Sequence, residues 1–179
     1  MSGDLSDQIL IGSARERGTA RFRRWGLIAV PLAAILFQVY VPLFFPFLAY
    51  LEFPLLVTVY FSIMRRSQIA GIFIGATIGL VQDSLSLPQP IGMFGLIKTL
   101  VGYFAASVGM RFDVDHVFIR FVLALFFFIF HQFFYWVLAR ALLGQQLVFD
   151  IQQTAIVGLL NAAVGISLFH FLDKLKEPA

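Results

Sequence analysis

Between Ile69 and Val81 the chain is apolar apart from Thr77, and three glycines, Gly71, Gly75 and Gly79, recur in it every four residues. Residues four apart share a helix face, so the glycines form one bare stripe. In water such a helix is poor, because each Gly costs about 1 kcal/mol relative to Ala. In lipid the stripe lets a second helix backbone approach closely. The feature points to a membrane-embedded chain with one helix built to be packed against. Composition agrees: 60% of the 179 residues are hydrophobic and 13% charged, against about 25% charged in soluble domains. Twenty-two phenylalanines are too many for a soluble core of this size. We read an all-α integral membrane domain over residues 25–172, between a basic arm (1–24) and a short tail (173–179). The chain has no cysteine, which excludes disulfides, thiolate metal sites and cysteine nucleophiles.

Four segments, Trp25–Phe45, Gly92–Met110, Val117–Leu143 and Ile151–Leu172, match the roughly 20 helical residues a hydrocarbon core requires. Two shorter ones, Phe53–Met64 and Ile69–Val81, flank Arg65-Arg66-Ser67-Gln68. They form either two short crossings or a re-entrant hairpin. The hairpin would hold both arginines deep in the membrane at roughly 2.5–3.5 kcal/mol each, so six spans are preferred. The first span exceeds a signal core of about 7–15 residues and no cleavage site follows it. Arg15, Arg17, Arg21, Arg23, Arg24, Arg111, Arg120, Lys174 and Lys176 fall on one side and only Arg140 on the other. The positive-inside rule then places both termini in the cytoplasm, and makes the arm an anchor beside a span rather than a nucleic-acid binder. The outer loops, Pro46–Glu52, Gln82–Ile91 and Gly144–Asp150, are short.

Few polar groups enter the spans. Asp83 follows the glycine helix at its C-terminal end, the unfavourable end of the dipole for an acid. It should cap what comes next, the short turn Ser84-Leu85-Ser86, pair with a cation, or meet a partner. Lys98, the only charge in the interior of a long span rather than near its ends, either snorkels to the outer interface or pairs with Asp83. His131 and Asn161 reach similar depth on adjacent antiparallel spans and read as a structural contact. Glu52 and Asp150 read as helix starts, Asp150 with Gln153 at capping spacing. Ala29 with Ala33, and Ala105 with Gly109, give further small-residue faces. No catalytic constellation, metal cluster, cofactor motif or Walker loop is recognisable, and Asp113 and Asp115 read as a solvated turn.

The stretch Glu52-Phe53-Pro54-Leu55-Leu56, then Tyr60, Met64-Arg65-Arg66, the glycine ladder, Gln82-Asp83-Ser84-Leu85-Ser86 and Pro90-Ile91-Gly92 resembles the rod shape-determining protein MreD family, and Leu160-Asn161-Ala162 fits it too. The resemblance covers roughly residues 25–172. It implies a multi-pass bacterial inner-membrane component of the cell-wall elongation machinery that partners MreC and acts near MreB, RodA and a class B penicillin-binding protein. It also implies a fold similar to the six-helix substrate-binding subunits of energy-coupling-factor vitamin transporters, and no catalytic activity. By matching position, Gly71, Gly75, Gly79, Asp83 and Gly92 would be the core motif and Asn161 the last-span polar residue.

Together with the resemblance, these residues lead to a non-enzymatic scaffold that needs no cofactor and acts by recruitment, a helix such as the transmembrane anchor of MreC packing on a small-residue face; the glycine stripe packs either on such a partner or on the protein's own fourth span. The alternative is a transporter substrate-binding subunit, which would need a pocket where polar groups such as Gln38, Lys98, His131, Gln132 and Asn161 converge.

Overall fold

The computed structural model describes residues 25–86, 92–112 and 114–176. The basic arm, the Pro90-Ile91 pair and Asp113 lie outside them. Among the described residues there is no strand, and six helices follow one another: α1 (Gly26–Tyr40), α2 (Phe53–Arg65), α3 (Gln68–Leu85), α4 (Met93–Arg111), α5 (Val117–Leu143) and α6 (Ile151–Asp173). Two 3-10 turns, Val41–Leu43 and Pro46–Tyr50, join α1 to α2, each with a proline in its first two positions. Counting these turns with the helices they adjoin, six segments of 18 to 27 residues are long and apolar enough to cross a membrane.

Every residue from Pro54 to Met64 is buried, so α2 is the central helix. Its neighbours close on it from every side: α2 touches α1, α3, α4, α5 and α6. Its start is recessed. Glu52, just before it, bonds to Asn161, which lies ten residues into α6, hence about 15 Å along that helix. α2 ends where Arg66 turns left-handed (φ 47°), and Ser67 accepts from Ala70 N to begin α3.

α3 runs further than expected, to Leu85 rather than Val81. The polar residues Asp83 and Ser84 continue the helix because their groups find partners in it or beyond: Ser84 Oγ donates to Leu80 O at 2.8 Å, and Asp83 binds α4. Asp83 therefore lies in the last turn of the helix, not after it.

α5 and α6 pair on the far side of α2 and α4. Phe127 and Phe128 are buried while Phe118, Phe126 and Phe133 are exposed, so α5 turns one side to the bundle and the other outward. Asp150 caps α6 by accepting from Gln153 N at 2.9 Å. At the opposite end of this hairpin Arg120 bonds to Val114 O and forms ion pairs with Asp173 and Asp115. Asp173 also accepts from Tyr60 of α2 (2.8 Å) and pairs with Lys176 (2.7 Å).

Candidate functional site

The glycine stripe is filled from within. A Cβ on Gly71 would overlap the carbonyl of Gly102, one on Gly75 the carbonyl of Lys98, and one on Gly79 the carbonyl of Phe94 at the backbone itself. Each step of four up α3 is matched by a step of four down α4, which is the register of two antiparallel helices in backbone contact. Gly102 mirrors the arrangement, since its own Cβ would meet Gly71 O. On α4, Gly109 lies against the backbone of Ile63 in α2, and Ala105 is fully buried. Of the two occupants open to the glycine face, the protein's own fourth span takes it: α4 lies against all three glycines. The ladder's complement, Gly95 and Gly102 at a spacing of seven on α4, was equally visible in sequence and is the signal that identifies the occupant.

Asp83 closes this helix pair. Its Oδ2 accepts from Gly92 N (3.0 Å) and Gly95 N (2.8 Å), and its Oδ1 from Phe94 N (3.0 Å). The carboxylate thereby satisfies the free amides at the start of α4, where a negative charge is favoured by the dipole. This outweighs its poor position at the end of α3. Asp83 caps the next helix rather than the Ser84–Ser86 turn. Gly92 holds φ 102°, a conformation that any side chain would strain, and that conformation presents its amide to Asp83.

Lys98 does not pair with Asp83, nor does it snorkel. Its side chain is fully buried, with Nζ 4.0 Å from Glu52 Oε2, 3.4 Å from His131 Nε2 and 4.6 Å from the centre of the Phe94 ring. The glycine seam brings the α4 backbone against α3, and the lysine chain lies among α2, α5 and that ring. Phe94 in turn stacks on His131 and Tyr135. With Lys98 as an ammonium donor, His131 Nε2 accepts and the imidazole proton sits on Nδ1. That nitrogen and Glu52 Oε2 are buried without a hydrogen-bond partner among the described residues.

His131 and Asn161 do not meet as their similar depth suggested. Asn161 Oδ1 accepts from Glu52 N at 2.8 Å, while its Nδ2 donates to Tyr50 O (2.7 Å) and Val157 O (2.9 Å). Asn161 thus fixes the chain where it turns into α2, and that turn sets Glu52 against Lys98. Glu52 is more than a helix start: it makes no side-chain cap and instead supplies the anion of the centre. The sequence signal for it was an acid entering an apolar span in a chain with one intramembrane lysine.

The centre therefore joins the entry to α2 with α4, α5 and α6 through an acid, a lysine, an imidazole and an amide. In a low-dielectric interior, moving one member of the acid–lysine pair away leaves the other charge uncompensated, so these groups constrain how the helices sit. Among the described residues no three His, Asp or Glu side chains are grouped to hold a metal. The polar groups a transport pocket would need do not converge. Lys98 and His131 meet each other, Asn161 is spent on backbone, Gln38 Nε2 bonds to Ala49 O, and Gln132 lines a separate open groove near Trp136. The transporter alternative has no support here.

An all-helical bundle of membrane-spanning length, knit by intramembrane polar ties, defines a multi-helix membrane protein whose buried polar residues serve architecture. Within that class, the family model of the rod shape-determining protein MreD matches residues 20–176, nearly the whole chain, and the chain belongs to this family. The family is one of shape-determining structural proteins, which gives the chain a role in rod shape determination. Neither a curated protein nor a solved structure matches it.

Proposed function

We propose that the protein is a non-catalytic scaffold of the bacterial inner membrane that supports cell-wall elongation by binding MreC through that partner's membrane span, with MreB, RodA and a class B penicillin-binding protein as further members of the assembly. Both termini face the cytoplasm in this reading, in keeping with the distribution of basic residues. The carrying observation is the family match over nearly the full chain. The disposition of small residues supports a location for the contact. The glycine face of α3 is closed, whereas Ala29 and Ala33 of α1 stand exposed on a helix that packs chiefly on α2. A small-residue face open to lipid admits a second helix.

The test is affinity purification of the tagged full chain from native membranes, with identification of the chains that come with it. MreC is expected, and the Ala29→Leu/Ala33→Leu variant should lose it while remaining inserted and monodisperse. Recovery of the folded protein without MreC would refute the scaffold reading. Undiminished MreC with the double variant would move the contact away from α1. Thermal stabilisation by a vitamin-like ligand would instead favour transport.

A further inference from the structure

Beside the sealed α3–α4 seam lies an open apolar groove of about 410 Å³ between α1, α2 and α3. Its floor is buried (Ile35, Phe61 and Ile78) and its rims are exposed (Ile28, Leu32 and Phe73). Arg65 also lines it, at the end where α2 finishes and α3 begins. Arg65 is half-buried and has neither an ionic nor a hydrogen-bonded partner among the described residues. A partly desolvated guanidinium at the mouth of an apolar trough calls for an anion. α3 starts at the same end, so its dipole presents the same sign.

Length and charge select the occupant. Along α3 the lining runs from Ala70 to Val81, eleven steps or about 16 Å. That is one leaflet of a hydrocarbon core about 30 Å thick, which is the reach of one acyl chain, and Arg65 stands at the end where a lipid's phosphate would lie. We propose that this groove is a binding site for one anionic phospholipid, with its tail between α1 and α3 and its phosphate on Arg65.

The full chain, purified in detergent, is titrated with phosphatidylglycerol and with phosphatidylcholine of the same acyl chains, and bound lipid is counted by native mass spectrometry. One basic residue at a membrane surface gives roughly a fivefold preference for the anionic lipid. That preference should vanish in Arg65→Gln and survive in Arg65→Lys. Equal binding of the two lipids by the unaltered protein, or an undiminished preference in Arg65→Gln, overturns the proposal. Should Arg65→Gln fail to fold, a photoreactive benzoylphenylalanine in place of Phe73 decides in native membranes. A lipid adduct supports the site, and a protein adduct shows that a partner covers the groove instead.

Discussion

Asp83 Oδ2 accepts a 2.8 Å hydrogen bond from the backbone amide of Gly95, so the acid that ends one helix of the glycine pair fastens the start of the other. Two further amides, of Gly92 and Phe94, share the same carboxylate. Loss of a helix cap costs about 0.5–2 kcal/mol, and hydrogen bonds to a charged, buried acceptor are worth more than neutral ones. Asp83→Ala should therefore lower stability by about 2 kcal/mol or more, read as unfolding in mixed micelles. Asp83→Asn keeps one acceptor oxygen and should lose less. Equal stability of Asp83→Ala and the unaltered protein would remove the carboxylate from the junction.

The seam itself makes a sharper forecast. At Gly75 even a methyl group overlaps the Lys98 carbonyl, and backbone cannot swing aside. Ordinary overpacking costs about 1–3 kcal/mol because side chains shift. Here two helices must separate, so Gly75→Ala should cost at least the upper end of that range and reduce the yield of monodisperse protein. Gly158 offers the contrast: its Cβ would meet only the ends of Leu125 and Phe128 side chains, at 3.0 Å or more. Gly158→Ala should be tolerated within about 1 kcal/mol, since Ala is the better helix former. Similar damage from both would show that glycine content, not the α3–α4 contact, sets stability.

Much of this architecture is legible in the chain because apolar length and glycine spacing are local signals. The limits of α5 coincide with the expected segment, and the ladder marks the closest helix contact. Pairing across the bundle is not local. Asp83 and Lys98 looked like natural partners from their depth, yet the amides of α4 are nearer to Asp83 and outcompete a side chain for its oxygens. Glu52 was hidden because the recessed start of α2 depends on Asn161, more than a hundred residues away. The extension of α3 through Gln82 and Asp83 could not be read for the same reason: a polar tail is helical here only because α4 answers it.

Lys98 and Glu52 should behave as a unit. Removing one member of a buried pair leaves the other uncompensated and costs about 3–5 kcal/mol, while replacing both by apolar or neutral groups of like size is far milder. Lys98→Met and Glu52→Gln should each destabilise strongly, and the double variant should recover most of the loss. A double-mutant cycle on unfolding free energies measures this, with a coupling above about 1 kcal/mol expected for residues in contact. Exchange of the charges at Asp83 and Lys98 should rescue nothing, because Asp83→Lys abolishes the cap of α4. Rescue by that exchange would restore the pairing of Lys98 with Asp83 and contradict the centre described above.

At the other end of the bundle, Asp173 gathers Tyr60, Arg120 and Lys176 from three places in the chain. The Tyr60 hydroxyl is joined to it at 2.8 Å, and a hydrogen bond to a charged acceptor contributes about 1.5–3 kcal/mol. Tyr60→Phe should therefore destabilise by about that amount, with no change in helix content. In Asp173→Asn the same tyrosine faces a neutral acceptor, so Tyr60→Phe should then cost less, and the difference is the coupling between α2 and α6. The Arg120 side chain is only 11% exposed, so raising salt to 0.5 M should weaken this tie little, in contrast to a surface pair, which is screened at that ionic strength. A Tyr60→Phe effect that is unchanged in Asp173→Asn would show that the α2 and α6 ends are held by packing alone, and one that disappears in high salt would show a tie screened like a surface pair.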